Sequence, residues 1–212
     1  MKLTVIYDNE SLRDDLAADW GFACLVEAHG RTILFDTGAR GELLLGNMEA
    51  LGIEPARIDE VVISHGHWDH VGGLEALLKV HGCPVVLPRG CAAPRGAAEV
   101  RRAAKQLQLA GGIWSTGTLR GGEQSLVVAV AGGVAVVAGC AHPGVAAILQ
   151  AARRVGPPRA LIGGLHGFSD LEQLAPLDLV CPLHCTRRKE EIAARYPDRA
   201  VRGGAGLVLS LD

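Results

Sequence analysis

Three times in this chain an apolar run ends, a histidine follows within a few residues, and a helical pattern begins: at Val61 to His70, Val136 to His142, and Val180 to His184. Loops at the carboxyl ends of strands can converge on one crevice while the sheet beneath holds them rigid. A grammar repeated at such separations selects a layered α/β fold in which distant segments deliver polar side chains to a shared edge. The densest instance is His65-Gly66-His67-Trp68-Asp69-His70, directly after Val61-Val62-Ile63. Neighbouring imidazoles resist sharing protons, and a carboxylate taken out of water needs a partner, so a bound cation is the simplest way to satisfy the group. The bland alternative is a polar turn in which Asp69 caps the next helix.

Short strands are expected first, at Leu3 to Tyr7, Ala23 to Ala28 and Thr32 to Phe35, with His29-Gly30 as a hairpin turn. Helical spacing at Leu43, Leu44, Met48 and Leu51 closes at Gly52, and Val61 to Ser64 reads as a buried strand. Val71, Leu74, Leu77 and Leu78 form an apolar stripe that stops at Gly82. Val85 to Leu87 predicts a strand. The Ala-, Arg- and Gln-rich segment Ala92 to Leu109 has weak periodicity and reads as a surface excursion with some helix. Leu126 to Val130 and Val134 to Ala138 predict a hairpin, and His142-Pro143-Gly144 opens a helix with Pro143 at its first position. Strands at Ala160 to Ile162 and Leu179 to Cys181, a helix at Arg187 to Tyr196 and a strand near Leu207 to Leu211 complete the pattern. The elements fall into two similar successions without a Pro- or Ser-rich linker. Residues 1–212 are therefore read as a single domain in which two sheets pack face to face with helices outside.

A chain of 212 residues buries about 70 per cent of its unfolded surface. With aromatics at 4% and 28 glycines, the core must come from Ala, Val, Leu and Ile with many tight turns. A net charge of −2 gives no electrostatic footprint for nucleic acid, and Arg187-Arg188-Lys189 reads as a solvated helix face. The opening Leu3 to Tyr7 run is too short for a signal segment, and no run approaches the roughly 18 apolar residues of a membrane span. A cytoplasmic protein with a small-molecule substrate and no membrane or nucleic-acid partner is expected. Cys24, Cys83, Cys91, Cys140, Cys181 and Cys185 are expected as reduced thiols, mostly buried. Three residues separate Cys181 from Cys185, which breaks a C-x-x-C pattern.

His65-x-His67-x-Asp69-His70, followed by His142 and His184, resembles the metallo-β-lactamase superfamily over nearly the whole chain. Phe35-Asp36-Thr37-Gly38 is similar to the superfamily's early Asp turn, and Val61 to Gly73 to its main signature. The resemblance implies an αββα four-layer sandwich with a one- or two-metal site at one edge. A narrower likeness rests on Asp8-Asn9, Trp20-Gly21-Phe22, Asn47-Met48, Leu51-Gly52-Ile53, Glu123-Gln124, Gly139-Cys140-Ala141-His142, Gly163-Gly164-Leu165-His166 and His184-Cys185-Thr186. Together these resemble the dihydropterin-ribofuranosylaminobenzene-phosphate synthase-like branch, related to methanopterin biosynthesis. Members of that branch are commonly longer, and the segment between Leu87 and Glu123 is shortened here.

By this resemblance His65, His67 and His142 hold one metal, and Asp69, His70 and His184 the other. Each metal then has three protein ligands and an open position, which separates a catalytic site from a closed structural one. Judged alone, His142 also suits an N-cap or a core position, and His184 a turn in which Thr186 caps the next helix. The superfamily's bridging carboxylate falls between the last two ligand histidines, where Gly163-Gly164-Leu165-His166 offers no Asp. His166 is read as a hydrogen-bond donor, proton shuttle or extra ligand, with a supporting or surface histidine as the equal alternative. Asp170 and Asp178 lie off the strand end, so one or two metals both stay open. Asp36 is expected to accept a hydrogen bond from the outer nitrogen of a ligand histidine; a plain Asp-Thr-Gly turn is the alternative. Tyr7, Asp8 and Asn9 are placed to line the same edge, and Trp68 reads as a packing wedge.

The implied activity is that of a metal-dependent hydrolase. Zn²⁺, or Mn²⁺ or Fe at such ligands, lowers the pKa of bound water from about 15.7 toward about 7, and the hydroxide attacks an ester or phosphoester-like small molecule. Asp69 and His166 are the expected catalytic side chains. Two alternatives stay open. One is a pterin-transferring synthase in which an arylamine displaces diphosphate; the other is a non-hydrolytic iron redox or sensor protein, since imidazole and carboxylate suit iron as well.

Overall fold

Apolar alternation in the first third of the chain builds one sheet. The structure, a computed structural model, describes residues 1–212. Strands β1 (Lys2–Tyr7), β2 (Ala23–Ala28) and β3 (Arg31–Phe35) form an antiparallel meander. His29 and Gly30 turn the chain between the last two at φ of 49° and 72°, the left-handed pair that a two-residue hairpin turn requires. β4 (Glu60–Val62), β5 (Val85–Leu87) and β6 (Val100–Arg102) add in parallel. The second sheet contains β7 (Leu107–Ala110), β8 (Ile113–Ser115), β9 (Leu126–Val130), β10 (Gly133–Ala138), β11 (Pro158–Gly164) and β12 (Leu179–Leu183). β13 (Val208–Ser210) returns to the first sheet beside β1. The strand orders are β13-β1-β2-β3-β4-β5-β6 and β12-β11-β10-β9-β8-β7.

Side chains that alternate along each strand feed different layers. Val62, Phe35, Val137, Ile162 and Leu183 meet between the sheets. Their neighbours Val61, Ile63 and Leu34 face outward onto Leu44 and Met48 of α1 (Gly41–Ala50) and Leu77 of α3 (Leu74–Val80). On the opposite side Val136, Leu161 and Val180 pack against Ile148 of α4 (Val145–Ala152) and Ile192 of α5 (Lys189–Arg195). Strands covered on both faces need unbroken apolar runs, and these have them. The result is the expected αββα four-layer sandwich. No helix is long and apolar enough to cross a membrane.

Three local expectations are corrected. Ala92 to Leu109 contains no helix: Val85 donates its N–H to Glu99 and Ala103 donates to Leu87, so the segment extends the first sheet as β6 and begins the second as β7. Arg101 on β6 pairs with the buried Glu60 of β4, which ties this polar edge down. Pro143 lies before α4, whose cap is Gly144 at φ 90°, because a turn from the Ala141 carbonyl to the Gly144 N–H intervenes. The apolar stripe beginning at Val71 is divided between α2 (Trp68–Val71) and α3. A Cβ on Gly72 or Gly73 would stand 2.0 Å from the Ala39 carbonyl oxygen or 2.2 Å from that of Thr37, so the break seats the turn that follows Asp36.

Candidate metal centre

The six expected ligands all follow strand carboxyl ends. His65, His67, Asp69 and His70 come from the loop and short helix α2 after β4, His142 from the loop after β10, and His184 from the end of β12. The structure brings them together. Ring centroids of His65 lie 4.6 Å from those of His67 and of His142, and 4.2 Å from that of His70. The His70 and His184 rings stand 5.0 Å apart. Asp69 Oδ2 lies 3.3 Å from His184 Nε2 and 3.9 Å from His70 Nε2. The first trio, His65, His67 and His142, and the second, Asp69, His70 and His184, therefore form two adjoining clusters.

Hydrogen bonds fix which nitrogen each ring presents. Asp36 Oδ2 accepts from the Ser64 hydroxyl and from His70 Nδ1, both at 2.7 Å, while Oδ1 accepts the Ser64 N–H. With its proton committed to Asp36, the Ser64 hydroxyl can only accept from His65 Nδ1 at 2.9 Å. His142 Nδ1 donates to Glu123 Oε2 at 2.8 Å, and His184 Nδ1 to Asn9 Oδ1 at 2.9 Å. Four imidazoles thus commit Nδ1 to an outer partner and turn Nε2 inward, the arrangement that orients metal-binding histidines. Asp36 plays the part expected of it, for His70 directly and for His65 through Ser64.

The electrostatics favour a cation. Burial, with His70 and His142 nearby, pushes His65 down to about 3, which keeps it neutral and able to donate a lone pair. Burial works to raise the Asp69 carboxyl, but His184 and His70 outweigh it and hold it well below the usual carboxylate range. The same contest at Glu123 ends at about 2, because His142 and the backbone N–H groups around it favour the charged form. His184 Nε2 is buried and has no hydrogen-bond partner. A buried ring nitrogen without a hydrogen bond, set 3.3 Å from a carboxylate oxygen within an imidazole cluster, is a group that a cation satisfies, so the residues present fit a divalent metal. Asp36, Ala141, His166 and His184 all have positive φ, between 47° and 59°. Such strain gathers where surrounding structure over-determines a functional conformation.

The remaining candidates divide. Asp8 accepts the His184 N–H, and Asn9 both accepts from its ring and donates to its carbonyl, so the end of β1 does line this edge. His166 sits at the exposed rim, its ring 5.4 Å from that of His142. Trp68 is 64% exposed, not a packing wedge, because α2 turns Asp69 and His70 inward and leaves Trp68 outside. Trp20 takes a place the sequence did not show: its Nε1 donates to Asp69 Oδ2 at 2.8 Å, and its ring lies 5.2 Å from His184. Glu123 was also missed, although a Glu-Gln pair just ahead of the apolar β9 run was a usable signal of a buried carboxylate. So were two thiols. Cys140 Sγ lies 3.2 Å from His70 Nε2 and 3.3 Å from Cys185 Sγ. Because the thiols share one hydrogen bond, the first of their protons leaves more readily than from an ordinary cysteine and the second is held far more tightly. Cys24, Cys83 and Cys181 are buried in the apolar cores as expected, and all six cysteines are free.

The family model of the metallo-beta-lactamase superfamily matches residues 21–152, a span that includes the whole His-rich loop and His142. The chain belongs to that superfamily. Among curated members, 60 residues are 45% identical to the 7,8-dihydropterin-6-methyl-4-(beta-D-ribofuranosyl)-aminobenzene-5'-phosphate synthase of Methanocaldococcus jannaschii, covering 27% of this chain and 20% of the synthase. The human metallo-beta-lactamase domain-containing protein 1 is 39% identical over 129 residues, covering 55% of this chain and 46% of that protein. The chain thus spans less than half the length of these two relatives. The solved structure of Tm1679, a metal-dependent hydrolase of the beta-lactamase superfamily, superposes with a TM-score of 0.80 at 26% identity, covering 99% of this chain and 98% of that one. This superfamily fold brings divalent-metal binding with it, and this chain carries candidate ligand groups for it.

Proposed function

We propose that this protein is a metal-dependent hydrolase acting on an ester or phosphoester-like small molecule. The convergence of four Nε2 atoms, each set by a hydrogen bond behind it, with the His67 ring and the Asp69 carboxylate carries this reading. His65, His67 and His142 would hold one divalent ion, and Asp69, His70 and His184 a second; zinc suits the donor set best, with manganese or iron as alternatives. Bound there, such an ion lowers the pKa of water from about 15.7 to about 7 and offsets negative charge developing on oxygen.

The chain's own groups supply the rest. Trp20 holds the Asp69 carboxylate from outside, which fixes the oxygen that faces His184. His166 stays neutral near neutrality because partial burial and the neighbouring His142 and Arg187 disfavour its imidazolium. A neutral rim imidazole can take a proton from an attacking group and return it to a leaving one. Beside it lies a depression of about 280 Å³ lined by His142, Val145, His166 and Phe168, which gives an organic substituent an apolar wall.

The match to the methanogen synthase supports a second reading, in which the same residues grip a diphosphate while an arylamine displaces it from a pterin methyl carbon. Metal analysis combined with a screen of phosphodiesters, lactones, thioesters and pterin diphosphates distinguishes the two. His67→Ala should lower both metal content and turnover by more than the roughly 10–100-fold that loss of an outer partner causes. Full activity in that variant would overturn the assignment.

A further inference from the structure

Two ligand triads can be drawn in this site, His65 with Cys140 and His142, and His70 with Cys140 and His184; within each, the donor atoms all lie within 4.8 Å of one another. Cys140 belongs to both. Its position is built by its backbone: one carboxylate, Glu123, accepts the successive N–H groups of Cys140, Ala141 and His142, and Ala141 takes φ 59°. The resulting turn sends the Cys140 thiol and the His142 ring to the same side. Glycine at the facing strand end makes room for it, since a Cβ on Gly164 would stand 2.9 Å from Cys185 Sγ and 3.2 Å from Cys140 Cα. No carboxylate issues from that strand end.

We infer that the Cys140 thiolate is a ligand shared by the two metal positions, with the Cys185 thiol as its hydrogen-bond donor. Three observations meet here: Cys140 Sγ stands between the imidazole clusters, it lies 3.2 Å from the inward Nε2 of His70, and the buried His184 Nε2 of the same triad has no partner. Sulfur and imidazole nitrogen bound to one tetrahedral zinc stand about 3.5 Å apart when Zn–S is about 2.3 Å and Zn–N about 2.0–2.1 Å. The observed separation is close to that. On metal binding the Cys140 S–H bond would break and its proton pass to solvent; the electron pair left on sulfur would serve one metal position and a second sulfur lone pair the other. Cys185 keeps its own proton and donates it to Cys140 Sγ at 3.3 Å, which spreads the thiolate charge. A thiolate in this place also favours zinc, cobalt and iron over magnesium and manganese.

This inference rests on the reading of the six residues as metal ligands, and one titration separates the two. Metal-free protein titrated with Co²⁺ should develop ligand-field bands together with a near-ultraviolet thiolate-to-cobalt charge-transfer band. Cys140→Ser should abolish the charge-transfer band and weaken at least one equivalent of cobalt about tenfold or more, while Cys185→Ala keeps the band. X-ray absorption of the zinc-loaded wild type, which needs no variant, should show a sulfur scatterer at about 2.3 Å. Cobalt bound with nitrogen and oxygen donors alone would overturn the thiolate and leave the metal site standing. A charge-transfer band that survives Cys140→Ser and vanishes in Cys185→Ala would also overturn it. No cobalt binding at all would sink both readings.

Discussion

Glu123 shows how much a single side chain can hold in place here. Its carboxylate accepts three consecutive backbone N–H groups and one imidazole proton. Glu123→Gln keeps the shape but loses the charge, and should destabilise the metal-free protein by about 1–3 kcal/mol. The sign of the pH effect follows from its pKa, about 2 when folded against an ordinary 4.5. A depressed folded pKa means that the contribution is complete above about 4.5 and is lost as pH falls toward about 2. Urea midpoints of wild type and Glu123→Gln should therefore converge across that window; a gap that stays constant would contradict the role. The histidines were legible from sequence because several imidazoles beside a carboxylate have few other uses. Cys140 was not, since a thiol in an apolar run looks the same whether it fills a core or faces a metal. Glu123 was quoted only as part of a resemblance, because its backbone partners lie 17 to 19 residues away.

At the scale of elements, the loops after β3, β4 and β10 interlock at Gly139. A Cβ there would lie 2.2 Å from Ser64 Oγ and 3.3 Å from Asp36 Oδ2. Gly139→Ala should displace Ser64 from both Asp36 and His65, cost about 1–3 kcal/mol as overpacking does, and weaken metal binding about 10–100-fold. Gly46 offers the matched comparison, because nothing lies within 4 Å of a Cβ built on it inside α1. Gly46→Ala should raise stability by about 0.5–1 kcal/mol and leave metal affinity unchanged. Equal metal affinity in the two variants, read by competition with a chelating dye, would refute the interlock. Strands β1 to β5 and β9 to β12 were readable because both-face burial writes itself as unbroken Val, Ile and Leu. β6, β7 and β8 were not. They are short edge or near-edge strands, Val100 is itself 37% exposed, and what places β6 is backbone pairing with β5 together with the Arg101 to Glu60 ion pair, neither of which has a local signature.

On the scale of the molecule, the site straddles the sandwich. His65, His67, Asp69 and His70 ride on the first sheet, and His142 and His184 on the second. A cation held by both sets ties the layers at one edge, so ligand binding should stabilise the whole fold by about 2.7 kcal/mol when free metal reaches 100 times its dissociation constant. Thermal unfolding with added zinc and with a chelator should differ accordingly, and hydrogen exchange in the chelated protein should quicken first in the loops after β4, β10 and β12. Identical melting in both conditions would contradict the tie. The first strand carries a consequence for synthesis. Asp8 and Asn9 hold groups on His184, which lies 176 and 175 residues downstream, and the outer neighbour of β1 is β13. A ribosome translating this message must deliver His184 before β1 can help set its imidazole, so the centre is completed late, when β12 docks beside a strand made some 175 residues earlier.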